Sequence, residues 1–262
     1  MMTKSAMAAM MILCATAAPV VGEIRDSKAL AVADEVMAAG GGEAGLASAK
    51  VLKFTFVYEQ DGVVRSSRTH YWDRIGGRHR LEMIDRDGKN ITCLTHLPSK
   101  EGVCAVDGQG FMEEAAQPYL SKSYAIWIND TYWLLMPYKM KDPGVDLKFD
   151  GETKEGGKTY DKIQLSFDQV GLTPKDRYWA FVDRTTHRMD KWAFVLQDEK
   201  GEPGKGEPSV FKWTGWSKFG SLWLSTEKIA EDGKSKVVFK DVAVFEALPD
   251  EIFSETSKVR LP

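Results

Sequence analysis

Residues 118–136 form one long apolar segment set among hairpin-forming strands, and this segment constrains the fold more than any other part of the chain. Leu120, Tyr124, Trp127, Ile128, Leu134 and Leu135 recur at helical spacing, while Tyr119, Ile126 and Trp133 form a second apolar line on another face. A helix apolar on two faces cannot lie on a surface with one side wet. The segment therefore predicts an enclosed helix, and a curved sheet is the enclosure that the rest of the sequence supplies. Pro118 suits a first helical turn. Asn129-Asp130 predicts a cap and a kink, with a second short helix over 131–136, and Pro137 predicts an end at Met136.

From Lys50 onward the pattern is strand, turn, strand. Alternation puts Leu52, Phe54, Phe56 and Tyr58 on one face, and Asp61-Gly62, Gly76-Gly77 and Asp87-Gly88 mark hairpin turns. The turn at residues 107–110 delivers the chain to the helix. After Asp142-Pro143-Gly144, strands are predicted near 145–150, 158–167, 176–183, 188–198, 209–217, 220–230 and 235–246. Upstream, residues 26–39 predict an amphipathic helix capped by Asp26 or Ser27 and closed by Gly40-Gly41-Gly42. A small-residue segment, 43–49, leads from it into the sheet. The polar tail from Leu248 is expected to pack loosely across a sheet edge. The fold class is mainly β (α+β): a large antiparallel curved sheet, an open half-barrel, with an N-terminal helix and a central helical lid or plug. Residues 23–262 read as a single domain.

The first residues read as an export leader. Lys4 supplies a sparse positive region, the run from Ala6 to Ala18 is too short to span a bilayer, and Ala15, Ala17 and Gly22 suit cleavage. We place this signal peptide at residues 1–22. Cys14 follows bulky Leu13, which does not suit lipid attachment. The chain carries 35 Lys+Arg against 38 Asp+Glu, and losing Lys4 with the leader moves the net charge from −3 to −4. Mild acidity argues against nucleic acid, and no later segment reads as an integral membrane span. The protein is expected to be exported, periplasmic or secreted. Cys93 and Cys104 flank a turn centred on Pro98-Ser99, so a symmetric hairpin sets them opposite each other within disulfide reach. An oxidising compartment would join them.

Aromatic residues mark the strands: Trp72, Trp179, Trp192, Trp213, Trp216 and Trp223, with Phe54, Phe56, Phe181, Phe194 and Phe211. The pairs Phe54/Phe56, Trp179/Phe181, Trp192/Phe194 and Phe211/Trp213 occupy alternate positions, which predicts one broad apolar wall. Any one such ring is more often core than ligand contact; together, large rings pack imperfectly and leave room. Enzyme motifs are lacking. The four histidines have no His-x-x-x-His spacing, and neither a Gly-x-Ser-x-Gly elbow nor a phosphate-cradling glycine loop occurs. Asp130, Asp142 and Asp146 suit capping and turns, the sharper alternative being a polar lip that orients a ligand or forms an acid/base pair. The echo of Asp73-Arg74 in Asp183-Arg184 reads as two similar hairpins. No cofactor or metal is expected.

In order, the chain offers an export leader, a helix, antiparallel strands, a buried helical insertion and more antiparallel strands. This order resembles the periplasmic lipoprotein-carrier superfamily, the LolA-like fold. More locally, Asn129-Asp130-Thr131-Tyr132-Trp133-Leu134-Leu135-Met136-Pro137-Tyr138 and Tyr71-Trp72-Asp73-Arg74 look like an uncharacterised exported family within it. The resemblance implies an open β-barrel lidded by helices around an apolar cavity. No receptor-release or acyl-gating residue of the carriers maps onto a position here. The expectation is a noncatalytic protein enclosing a lipid or other hydrophobic ligand, a small molecule or an acyl chain. Phe54, Phe56, Trp179, Phe181, Trp192, Phe194 and Trp213 would line the sheet side, and Trp127, Trp133 and Leu134 the lid. The lid would swing on Pro137 and Asp142-Pro143-Gly144. The alternatives are a solid-cored envelope adaptor binding a protein partner along a sheet edge and an envelope hydrolase.

Overall fold

Alternating side chains make strands of almost everything after Ala49, and the computed structural model describes residues 25–167 and 171–257. The export-leader reading of residues 1–22 lies outside the described residues. One meander holds β1 (Val51–Gln60), β2 (Val63–Asp73), β3 (Arg78–Ile84), β4 (Asn90–His96), β5 (Glu101–Val106) and β6 (Gln109–Phe111). A second holds β7 (Val145–Glu155), β8 (Lys158–Phe167), β9 (Arg177–Asp183), β10 (Met189–Val195), β11 (Ser209–Phe219), β12 (Leu222–Ala230) and β13 (Ser235–Phe245). First and last strands pair, with Phe56 opposite Phe239, so the two meanders fuse into one 13-stranded antiparallel sheet. The free edges are β6 and β7. The sheet is thus a curved, open half-barrel, as the sequence predicts.

The chain passes from one edge to the other through α3 (Glu113–Lys139), a helix of 27 residues and therefore about 40 Å long at 1.5 Å per residue. It runs across the concave face. Three expectations about it change. It begins at Glu113, because residues 107–110 turn the chain into β6 before the helix starts. It is not broken into two helices at Asn129-Asp130, because the Asp130 side chain is taken up by a buried ion pair and caps nothing. It also runs past Pro137 to Lys139, since a proline in the last turn sacrifices only one helical bond. Enclosure is also graded. Gln117, Pro118, Ser121 and Lys122 are exposed, whereas Leu134, Leu135, Met136 and Tyr138 are buried. The first half is a lid and the second half a plug.

Helix α1 (Ser27–Gly40) covers the plug. Asp26 caps it by accepting from Ala29 N at 2.7 Å, and Val32, Ala33 and Val36 share a core with Met136 and Met140. Gly40 is required where it stands: the Tyr138 ring lies 2.8 Å from where a Cβ would be, and the Tyr138 hydroxyl donates to Gly40 O. The small-residue segment after it forms a short helix, α2 (Gly42–Ser48). The described part of the tail, through Ser257, is not loose. Leu248 and Ile252, the latter in α4 (Glu251–Ser254), are buried with Val51 and Tyr71, and Arg80 donates to the carbonyls of Ile252 and Ser257. A buried guanidinium needs acceptors, and tail carbonyls supply them on the outer face of β1–β3.

Cys93 and Cys104 stand opposite each other across β4 and β5 and form a disulfide, Cα–Cα 4.2 Å. Asp73 and Asp183 each accept from backbone N–H groups two and three residues on, which confirms that the Asp-Arg echo is a repeated turn.

Candidate functional site

Between α3 and the β8–β10 part of the sheet lies a cavity of about 570 Å³. Tyr132 and Trp133 form its helix wall; Phe167, Tyr178, Trp192 and Phe194 form its sheet wall. The rings meet edge to face, Trp133 against Trp192 at 4.5 Å and Tyr132 against Tyr178 at 5.5 Å. Such contacts hold ring planes apart, and Ala125 and Ile128, two turns and one turn before Tyr132, are too small to close the space. At the mouth Leu172 and Leu196 are more than half exposed. Trp72 and Trp127 close one end, and at the other end Lys139 pairs with Asp142. Burial raises the Tyr132 and Tyr178 phenols, so both are neutral, and Tyr178 donates to Asp176 at 3.0 Å.

Of the residues that the sequence nominates, Trp127, Trp133, Trp192 and Phe194 line the cavity. Phe54, Phe56 and Leu134 belong instead to a filled core with Leu135, Leu222, Leu224, Val237 and Phe239. Trp213 packs on Trp192 at 5.5 Å, within the core behind the cavity wall. Its other neighbour is Lys228, fully buried, with Nζ 4.3 Å from the centroids of both Trp213 and Phe239. Burial holds this amine well below the usual lysine range.

Trp179 and Phe181 are not brought to this wall. Ala180 and Val182 are the β9 residues in the concave core, so their aromatic neighbours take the outer face. There Lys162 lies over both rings, at 5.6 and 5.7 Å, and Lys191 lies over Phe181 at 4.9 Å. Tyr132, Phe167, Tyr178, Leu172 and Leu196 were missed. Tyr178 carried a signal, since it shares parity with Ala180 and Val182.

Next to the cavity, beneath the middle of α3, the interface is polar. Asp130, 0% exposed, accepts from Arg68 Nε at 2.7 Å and Nη2 at 2.8 Å, from His70 Nε2 at 2.9 Å, and from Asn129 Nδ2 at 2.8 Å. His70 Nδ1 is in turn 3.0 Å from His79 Nε2. Burial alone would raise the Asp130 carboxyl, but His70 and Arg68 outweigh it and hold it below the usual carboxylate range. Asp130 and Asp142 do not form an acid/base pair: one is sealed in this cluster, the other lines the cavity beside Lys139. The expected hinge is also clamped. Arg25 donates to Val145 O at 3.1 Å, Lys141 O at 3.2 Å and Asp142 O at 2.8 Å, tying down the turn after α3.

Among the described residues, no group of three or more His, Cys, Asp or Glu side chains could hold a metal ion, and no helix is long and apolar enough to cross a membrane. The chain matches no protein-family model and no curated protein. Solved structures do resemble it. A DUF1329 family protein from Desulfovibrio piger is 12% identical over 87% of this chain and 97% of that one, with a TM-score of 0.49. A LolA superfamily protein from Nitrosomonas europaea is 12% identical over 85% and 97%, TM-score 0.48. An outer membrane lipoprotein-sorting protein domain from Vibrio parahaemolyticus is 11% identical over 86% and 96%, TM-score 0.44.

Proposed function

We propose that this chain is an exported, noncatalytic binding protein that takes up one hydrophobic, chain-shaped molecule between α3 and the β8–β10 wall. The observation that carries the reading is the cavity itself, aromatic on both walls and bordered by exposed leucines. Binding sites for apolar molecules have this character: concave, mostly apolar, with few polar groups. Size narrows the ligand. At roughly 30 Å³ per water-sized group, about 570 Å³ holds about 19 such groups, the bulk of one long acyl chain. Support for export comes from the leader-like N-terminus and from the Cys93–Cys104 disulfide, which suits an oxidising compartment.

Uptake does not need α3 to swing on its C-terminal end, which Arg25 and the Tyr138 hydroxyl hold. Parting of the Leu172 and Leu196 lip from Ile128 and Tyr132 suffices. The test is native mass spectrometry and lipid extraction of the protein purified from its own compartment. A stoichiometric single-chain lipid is the expected result. A protein that is empty there, and that takes up no cis-parinaric acid in vitro, would return the adaptor reading to first place.

A further inference from the structure

The stripe of α3 that meets the sheet is apolar at both ends and polar between. Ala116 and Leu120 pack with Ile91, Cys93 and Cys104, and Leu134 packs with Phe54 and Phe56. Between them the same stripe presents Ser123, Trp127 and Asp130. Against these, β2 sets Arg68 and His70, β3 sets His79, and β4 sets Thr95, which stands directly opposite His79.

Four side-chain atoms of this layer are buried and have no hydrogen-bond partner: His79 Nδ1, Thr95 Oγ1, Ser123 Oγ and Trp127 Nε1. They are neighbours. Thr95 faces His79 across the strand pair, the His79 and Trp127 rings are 6.5 Å apart, and Ser123 precedes Trp127 by one helical turn. Buried polar groups in folded proteins are bonded to protein or to ordered water in the great majority of cases. Four exceptions side by side point to a common partner.

Proton bookkeeping identifies it. In the arrangement where His70 carries one ring proton, on the Nε2 that donates to the Asp130 carboxylate, its Nδ1 has the lone pair and accepts from His79 Nε2–H. His79 Nδ1 is then an acceptor, and Trp127 Nε1–H can only donate. A partner must give a proton to the first and accept one from the second, with the Thr95 and Ser123 hydroxyls free to do either. Water does all of this, and three or four such bonds are what a buried water makes.

We propose that this layer is a second, wholly internal binding site, which holds water at the end of the Asp130–His70–His79 chain and takes up a proton in acid, loosening α3 where it roofs the cavity. Burial keeps the His79 imidazole well below the ordinary histidine range, so it is neutral until the medium is acidic. The titratable and charged groups facing the pair are Arg68 from β2 and Asp130 from α3; β4 brings only Thr95. A second cation here shares the one carboxylate with Arg68. Two residues pass the change on: Trp127 belongs to the layer and lines the cavity, and Asn129 lines the cavity and donates to Asp130. The coupling to the cavity rests on the binding reading above. The water and proton site does not.

Hydrogen–deuterium exchange of the full chain at about pH 7.5 and about pH 5, corrected for intrinsic exchange, tests the loosening with no ligand present. Amides of residues 120–131 should open more often in acid, by up to about tenfold per pH unit for one proton, while those of β12 keep their protection. His79→Gln keeps polarity but takes no proton, and should flatten this dependence. Should that variant not fold, histidine ¹⁵N shifts of the wild type report the same tautomers and titration. A crystal structure with water bonded to His79 Nδ1 supports the site. A flat wild-type exchange profile, a His79 protonated at neutral pH, or His79 Nδ1 bonded directly to Thr95 overturns the proposal. Acid loosening with no uptake of cis-parinaric acid at either pH supports the proton site and overturns only the binding reading.

Discussion

Beneath the plug half of α3 the sheet is packed solid on one side and hollow on the other. On β1, β12 and β13, Phe54, Phe56, Leu222, Leu224, Val237 and Phe239 interlock with Leu134 and Leu135. Around β8–β10, Phe167, Tyr178, Trp192 and Phe194 face Tyr132 and Trp133 and leave about 570 Å³. Both regions are strongly apolar, so hydrophobicity does not separate them. Shape does. In the first region Leu134, Leu135, Leu222, Leu224 and Val237 pack around the Phe54, Phe56 and Phe239 rings, whereas in the second large rings predominate and Ala125 leaves the helix side low. An apolar wall becomes a binding wall only where its neighbours fail to fill it.

The sharpest way to break this comparison is to truncate one phenylalanine on each side. Phe54→Ala, at a fully buried position stacked on His70 with ring centroids 4.5 Å apart, should cost about 3–5 kcal/mol in urea unfolding. Phe194→Ala removes a partly exposed ring beside existing space and should cost only about 1–2 kcal/mol, while weakening acyl-chain uptake. Equal losses would mean that the cavity wall is ordinary core. Asp130→Ala comes next. It leaves Arg68 and the buried histidines without their anion, for a loss of about 3 kcal/mol, at the low end because the Arg68 side chain is 17% exposed. A loss below about 1 kcal/mol would show that the cluster behaves like a surface ion pair.

The strands were legible because period-two alternation is a local property, and both meanders lie close to where the sequence sets them. The helix interior was not. Asn129-Asp130 looks like a cap in one dimension, but the partners of Asp130 are Arg68 and His70, 62 and 60 residues away. Parity in β9 was equally ambiguous: Arg177-Tyr178-Trp179-Ala180-Phe181-Val182 is apolar on both faces. What decides it is the fit of Ala180 and Val182 beside Ile163 and Trp192, together with Lys162 and Lys191, whose ammonium groups lie over the outward rings. Of the lip, Leu172 left no periodic trace, because it lies in a loop, whereas Leu196 continues the Trp192 and Phe194 alternation one step past the end of β10.

Acidity separates the polar layer from both apolar regions. His79 has a depressed value in the folded state, against about 6.5 unfolded. Its contribution is therefore fully present above about 6.5 and is lost as the pH falls toward the folded value, at no more than about 1.4 kcal/mol per pH unit. Asp130 is also depressed, so its contribution is present above the unfolded value of 3.8 and is lost as the pH falls through the lower folded value. Stability should thus fall in two stages, histidine first. His79→Gln should erase the upper stage and keep the lower. A single stage below about pH 4 in the wild type would remove His79 from the account.

The smallest stability effect should accompany the largest functional one. Ala125 lines the cavity from the helix and is only partly exposed, so Ala125→Trp adds an indole to space that no side chain occupies. Overpacking penalties of about 1–3 kcal/mol arise where a core is already full, and here it is not. We therefore expect a change within about 0.5 kcal/mol in urea unfolding, together with loss of cis-parinaric acid binding. The same substitution pressed against the filled region would unfold the protein before it blocked anything. Ala125→Trp that binds as well as wild type would place the ligand elsewhere, and one that is strongly destabilised would mean that the hollow half is as tightly packed as its neighbour.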